Sequence, residues 1–117
     1  MNQTTTRMSP RKIAIIALTI ATALIHIALA FFAMSQGDMT TVIMFLLNGI
    51  GYMVLLAAYY LSLPLARDYP KLVRWAFIIF IAITILGWVA IGARNVVAYV
   101  DKLIELALII LLLTDKK

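Results

Sequence analysis

The chain has 117 residues, of which 65% are hydrophobic and 13% charged, with a mean hydropathy of +1.06 and a formal net charge of +5. A soluble domain is about half apolar and about a quarter charged, so the composition indicates a membrane protein with room for about four or five spans at most. The absence of cysteine from the sequence excludes disulfides and thiolate metal sites. The basic residues form short clusters between apolar runs, which argues against nucleic acid as a partner.

Four apolar runs follow one another along the chain and predict an all-α, integral membrane four-helix bundle. The predicted spans cover about residues 13–34, 41–63, 73–93 and 95–113. They form a single domain over residues 13–113, between a basic tail (1–12) and a short second tail (114–117). The first run is longer than the roughly 7–15 residues of a signal-peptide core, so we interpret it as an uncleaved anchor.

Lysine and arginine residues are distributed unevenly between the two ends of the predicted spans. Arg94 and Lys102 fall on or near one side of a four-span bundle. The other eight fall on the opposite side: Arg7, Arg11, Lys12, Arg67, Lys71, Arg74, Lys116 and Lys117. Because basic connections are retained in the cytoplasm, this bias predicts a multi-pass plasma-membrane protein with both termini cytoplasmic.

The fourth run is too short to cross a membrane without its charged residues. Its uncharged part, residues 106–114, would span only about 14 Å as a helix, against a hydrocarbon core of roughly 30 Å. We therefore predict a helix that begins near Asn95 and contains Asp101, Lys102 and Glu105. Its leucine and isoleucine side chains favour insertion by about 3–5 kcal/mol, whereas three central charges oppose it by about 7–10 kcal/mol. The segment is expected to insert only within a bundle whose other helices provide partners for those charges.

Depth along each predicted helix places polar groups of all four spans in one layer. Counted from the cytoplasmic ends, Glu105 lies about 15 Å deep, and Asp101 and His26 lie about 21 Å deep. We predict a polar cluster of His26, Asn48, Asp101 and Glu105, with Lys102 at its edge, from where it can pair with Glu105 and snorkel outward. Two further polar or amphipathic residues at this depth are predicted to line the cluster: Thr84 and Trp88.

Such a cluster has two interpretations. It can be a structural staple that fixes helix order, or a proton or ligand site, because ionisable groups inside membranes are functional candidates. His26 is the only histidine, which disfavours a haem with two axial histidines but leaves a pigment with a single axial ligand. His26, Asp101 and Glu105 together could also supply ligands to a metal.

Three short motifs carry a resemblance to known proteins: "LIHIAL" in the first span, "LNGIGY" in the second and "VDKLIELALIILL" in the last. The chain resembles a family of small four-span membrane proteins from Chloroflexota, cyanobacteria and halophilic archaea. The resemblance implies four spans and carries no activity over to this chain. In size alone the chain is also similar to the small multidrug-resistance transporters, which have their essential glutamate in the first helix.

No arrangement of nucleophile, base or metal ligands in the sequence is convincing enough to predict an enzyme. We expect a non-catalytic structural or accessory protein without a cofactor, which forms a homo-oligomer or joins a larger complex in the lipid bilayer. One alternative is a small proton-coupled transporter or channel, in which Glu105 and Asp101 exchange protons and His26 assists. Another is a pigment- or lipid-binding subunit that uses His26.

Overall fold

The computed structural model describes residues 9–61 and 64–115, and all regular secondary structure within these ranges is helical. The helices are α1 (Pro10–Ser35), α2 (Met39–Tyr60), α3 (Pro64–Asp68), α4 (Pro70–Ile91) and α5 (Val96–Leu113). This confirms the all-α prediction. Three of the helices, α1, α2 and α4, are long and apolar enough to cross a membrane.

The helix boundaries follow local capping signals. Ser9 accepts a hydrogen bond from the backbone N–H of Lys12, so α1 begins at Pro10 rather than at the first apolar residue. Asn95 caps α5 in the same way through the N–H of Ala98, which agrees with a fourth helix that begins next to Asn95. The short helix α3 lies in the connection between the predicted second and third spans.

Some predicted segments lie outside the described residues. These are residues 1–8 of the basic tail with Arg7, the end of the second span at residues 62–63, and Lys116 and Lys117 of the second tail.

The four long helices form a ring in chain order. Helix α1 packs along α2, α2 against α4, α4 against α5, and α5 returns to α1. Helices α1 and α4 are therefore diagonal, as are α2 and α5. The first turn is tight because Gly37 adopts a φ of 73°, and its N–H donates to the carbonyl of Met34 at 3.1 Å.

The ring has a hydrophobic core inside it and apolar side chains on its outer surface. Tyr52, Phe77, Ile81 and Leu108 are fully buried in the main hydrophobic core. Many leucine, isoleucine and phenylalanine side chains point outward instead, among them Leu47, which is 65% exposed. A surface of this kind suits lipid, in which outward-facing apolar side chains carry no penalty.

Two arginines from neighbouring helices cap the C-terminal end of α5. Arg11 of α1 donates to the carbonyl of Leu111 at 2.9 Å, and Arg74 of α4 donates to that of Leu112 at 3.1 Å. The last carbonyls of a helix lack intrahelical partners and carry partial negative charge, so both contacts are favourable. The basic N-terminal ends of α1 and α4 therefore lie beside the C-terminal end of α5.

Gly49 provides a test of the contact between α1 and α2. A Cβ atom added at Gly49 would lie 2.9 Å from Cγ1 of Ile27 and 3.1 Å from the carbonyl oxygen of Ala23. Gly49→Ala is expected to lower the free energy of unfolding by about 1–3 kcal/mol because the two helices must separate. Gly87→Ala is the matched control, since nothing lies within 4 Å there, and it should raise stability by about 0.5–1 kcal/mol. Equal effects of the two substitutions in reversible unfolding from mixed micelles would contradict this packing.

Asp38 provides a second test, at the start of α2. Hydrogen bonds from the side chain and the backbone N–H of Thr41 hold the pKa of the Asp38 carboxyl below its ordinary value. The cap therefore contributes stability above the ordinary pKa and loses it as the pH falls through the lowered value. We expect Thr41→Ala to raise the pKa of Asp38 in a carboxyl NMR titration. An unchanged pKa would show that the side-chain hydrogen bond is absent.

Candidate polar site between the helices

The charged residues of α5 lie on the side of the helix that faces the bundle. Asp101 and Glu105 are four residues apart and share a face, and both are buried, with 2% and 0% of their surface exposed. Lys102 is also buried. Helix α5 thus directs all three of its charges into the bundle, where Leu108 and Leu112 are also buried.

Lys102 connects the two carboxylates. Its ammonium donates to Oδ2 of Asp101 at 3.1 Å and to Oε1 of Glu105 at 2.6 Å. We predicted the pair with Glu105, but expected the lysine to reach outward from the edge of the cluster. Its side chain turns inward instead. Two buried carboxylates attract the ammonium there, and this attraction is stronger than that of Glu105 alone combined with partial solvation of the ammonium.

Helix α1 contributes Thr22 and His26, which are one turn apart. The Thr22 hydroxyl donates to Oδ1 of Asp101 at 2.5 Å. Nδ1 of His26 lies 2.8 Å from the carbonyl oxygen of Thr22, whereas Nε2 faces Oδ2 of Asp101 at 3.6 Å and Oε2 of Glu105 at 3.9 Å. The imidazole is therefore held at one nitrogen by its own helix and directs the other toward α5.

Helix α2 closes the cluster from the third side. The Tyr52 hydroxyl donates to Oε2 of Glu105 at 2.5 Å, across the diagonal of the ring. The rings of Phe45 and Tyr52 each lie 5.8 Å from the imidazole of His26, centre to centre. These two aromatic side chains pack against the imidazole and restrict its orientation.

Asn48 is not bonded to the carboxylates. Its amide donates to the Thr84 hydroxyl at 2.7 Å, and Thr84 in turn donates to the carbonyl of Phe80. The Asn48 carbonyl oxygen is buried without a hydrogen-bond partner. Asn48 and Tyr52 are four residues apart on α2, so the pair of Asn48 and Thr84 lies one helical turn from the Tyr52 side of the cluster.

Trp88 lies near the Lys102 end of the cluster, where its ring centre is 6.0 Å from the ammonium nitrogen. The guanidinium of Arg94 stacks on the same ring at 4.1 Å, and Tyr99 packs against it edge-on. Arg94 also donates to the carbonyls of Trp88 and Val89 at the end of α4. These residues form a cover beside Lys102 at the end of the bundle opposite Arg11 and Arg74.

Two members of the site were missed by sequence reasoning. Thr22 precedes His26 by four residues, and Tyr52 follows Asn48 by four, so each lies one helical turn from a residue that was singled out. A search for hydroxyl groups at these spacings would have identified both. We define the His26 cluster as the six residues Thr22, His26, Tyr52, Asp101, Lys102 and Glu105.

The His26 cluster brings two carboxylates, one ammonium and one imidazole together in a buried site. Breaking a buried pair by removing one partner costs about 3–5 kcal/mol, because it leaves an uncompensated charge. One ligand atom from each of His26, Asp101 and Glu105 lies within 4.8 Å of the others, which is close enough for a shared cation. The ammonium of Lys102 already provides a cation to both carboxylates.

Comparisons with known proteins found no match for this chain among protein-family models, curated proteins or solved structures.

The hydroxyl of Tyr52 can be tested by itself. Tyr52→Phe keeps the ring that packs on His26 but removes the donor to Glu105, and we expect it to lower the free energy of unfolding by about 1–3 kcal/mol. Tyr99→Phe removes a hydroxyl from a tyrosine that is 51% exposed and should change stability by less than about 0.5 kcal/mol. If the two variants unfold alike, the bond between Tyr52 and Glu105 contributes nothing.

The pair of Lys102 and Glu105 can be tested by a double-mutant cycle. Lys102→Met leaves two carboxylates without their ammonium and should destabilise the bundle by about 3–5 kcal/mol. Adding Glu105→Gln removes one of the stranded charges, so the double variant should be more stable than Lys102→Met alone. Additive losses in equilibrium unfolding would be inconsistent with a coupled pair.

Proposed function

We propose that this chain is a non-catalytic accessory protein of the plasma membrane that packs with itself or with a larger membrane complex. The observation that carries the proposal is that every carboxylate oxygen of Asp101 and Glu105 accepts a hydrogen bond from the chain itself. The donors are Thr22, Tyr52 and, twice, Lys102. Because these oxygens are already hydrogen-bonded within the chain, the site is suited to a structural role, in which it holds α5 in the bundle.

The proposed topology has four spans with both termini in the cytoplasm. It is supported by the basic residues Arg11, Lys12 and Arg74, which cluster at the end of the bundle where α1 and α4 begin. Arg94, between α4 and α5, lies at the opposite ends of these helices. In this topology α5 is the fourth span, since its 18 residues extend for about 27 Å, close to the thickness of a bilayer core.

The accessory function is supported by where the side chains point. Many large apolar side chains on α1, α2, α4 and α5 are exposed, and the connection from α4 to α5 is only residues 92–95. These helix surfaces are available for packing against partners. A pigment on His26 is less well supported, because Nε2 faces α5 and Nδ1 is bonded to Thr22.

A second candidate is proton-coupled transport, and the approach of Nε2 of His26 to two carboxylates favours it. In this alternative a proton moves between His26, Asp101 and Glu105. The two candidates differ in liposomes, because transport requires that Glu105→Gln abolish a pH-driven flux. If the wild-type protein and this variant both show no flux above empty liposomes, the transport candidate fails.

Native mass spectrometry of gently extracted protein tests the accessory function. We expect a defined assembly that contains a second copy of the chain or larger subunits, since the apolar helix faces are available for packing. A strictly monomeric protein, released without partners from its own host's membranes, would overturn this proposal, as would catalytic turnover by the isolated chain.

Cysteine labelling tests the topology, and the sequence is well suited to it because it contains no cysteine. We expect Gln36→Cys, between α1 and α2, to react with a membrane-impermeant maleimide on intact cells. Arg67→Cys, between α2 and α4, should react only after permeabilisation. The reverse pattern would place the termini outside.

A further inference from the structure

The hydrogen atoms on His26 can be assigned from its neighbours. A carbonyl oxygen only accepts hydrogen bonds, so Nδ1, 2.8 Å from the Thr22 carbonyl, carries a proton. The Thr22 hydroxyl uses its own proton on Asp101, so it is an acceptor for Nδ1 as well. In a neutral ring, Nε2 would then carry no proton and would direct its lone pair at Asp101 and Glu105. Because carboxylate oxygens only accept hydrogen bonds, no hydrogen bond would form between them and Nε2.

The charges of the cluster lead to the same conclusion. With a neutral His26, two carboxylates and one ammonium leave a net charge of −1 in a site where Glu105 is 0% and His26 3% exposed. An uncompensated charge in such a site costs several kcal/mol. One additional proton brings the cluster to zero charge and gives Nε2 a hydrogen to direct at Asp101 and Glu105.

We propose that the His26 cluster is a proton-binding site, in which one proton resides on Nε2 of His26 between the carboxylates of Asp101 and Glu105. The inference goes beyond the accessory function and does not depend on it, because a proton can be held without being transported.

The groups that face His26 from every neighbouring helix are part of this balance. Helix α2 contributes Tyr52 and the uncharged Phe45, and α5 contributes Asp101, Lys102 and Glu105. Helix α4 is diagonal to α1, and it adjoins the cluster through the uncharged Trp88 beside Lys102 and Phe80 beside Tyr52. Lys102 is thus the cation that must be counted with His26.

A proton fits this site better than a divalent metal ion. A divalent ion and an ammonium group about 4 Å apart repel each other by about 8 kcal/mol at an effective dielectric constant of about 20. A bound divalent ion would also change the net charge of the cluster from −1 to +1, whereas a proton brings it to zero. Lys102 would have to leave both carboxylates before a metal could bind.

The test uses the fact that His26 is the only histidine of the chain. The protein carries a tag without histidine, is labelled with ¹⁵N-histidine and is reconstituted in lipid bilayers for solid-state NMR at neutral pH. We expect protons on both ring nitrogens of the wild type. In Glu105→Gln the remaining charges cancel without the extra proton, so Nε2 should lose its proton while Nδ1 keeps its own.

Asp68→Asn is the matched control, because it removes one acidic charge from an exposed side chain that is paired with the exposed Arg67. It should leave both protons on His26. Asp101→Asn is the second variant if Glu105→Gln does not fold, and it should also yield a neutral ring.

Three results would overturn the proposal. They are a neutral His26 in the wild type, an imidazolium that persists in a folded Glu105→Gln or Asp101→Asn, and a shift of the Nε2 signal on addition of zinc chloride that indicates metal coordination.

Discussion

The compensation of the charges on α5 by side chains of α1 and α2 is the interaction on which the rest of the bundle depends. An isolated α5 carries three charges near its middle, and its leucine and isoleucine side chains do not offset their transfer into lipid. In the folded chain, each carboxylate is met by Lys102 and by a hydroxyl group from another helix, Thr22 or Tyr52. The charges that oppose the insertion of an isolated α5 thus form the contacts that fix the position of α5 in the bundle.

The same contacts explain the closed ring of helices. Apolar side chains alone would pack as well against lipid as against another helix, so they specify helix order poorly. The hydrogen bonds of the two carboxylates specify the helix order instead. Glu105 accepts from Tyr52 across the diagonal, and Asp101, one turn away, accepts from Thr22. Arg11 and Arg74 fix the other end of α5 through its last carbonyls. Helix α5 is held at its middle by charge compensation and at its C-terminal end by capping.

The four long helices and much of the site could be predicted from the sequence because both depend on strong local signals. The apolar runs identify the helices, and the spacing of Asp101 and Glu105 places both on one face. The rotation of α2 could not be predicted, since in a bundle with an apolar exterior the lipid-facing and core-facing positions have similar composition. For that reason Tyr52 was missed, and Asn48 was assigned to the carboxylates although it is bonded to Thr84.

The approach of α1 to α5 at His26 and Glu105 is the central claim, and the sequence allows it to be measured directly, since it contains one histidine and one glutamate. Labelling with ¹⁵N-histidine and ¹³C-glutamate creates a unique spin pair whose dipolar coupling can be recorded in lipid bilayers. The account predicts a measurable coupling, because Nε2 lies 3.9 Å from Oε2 of Glu105. A coupling too weak to detect would show that α5 is not docked through its charges, and would contradict the account.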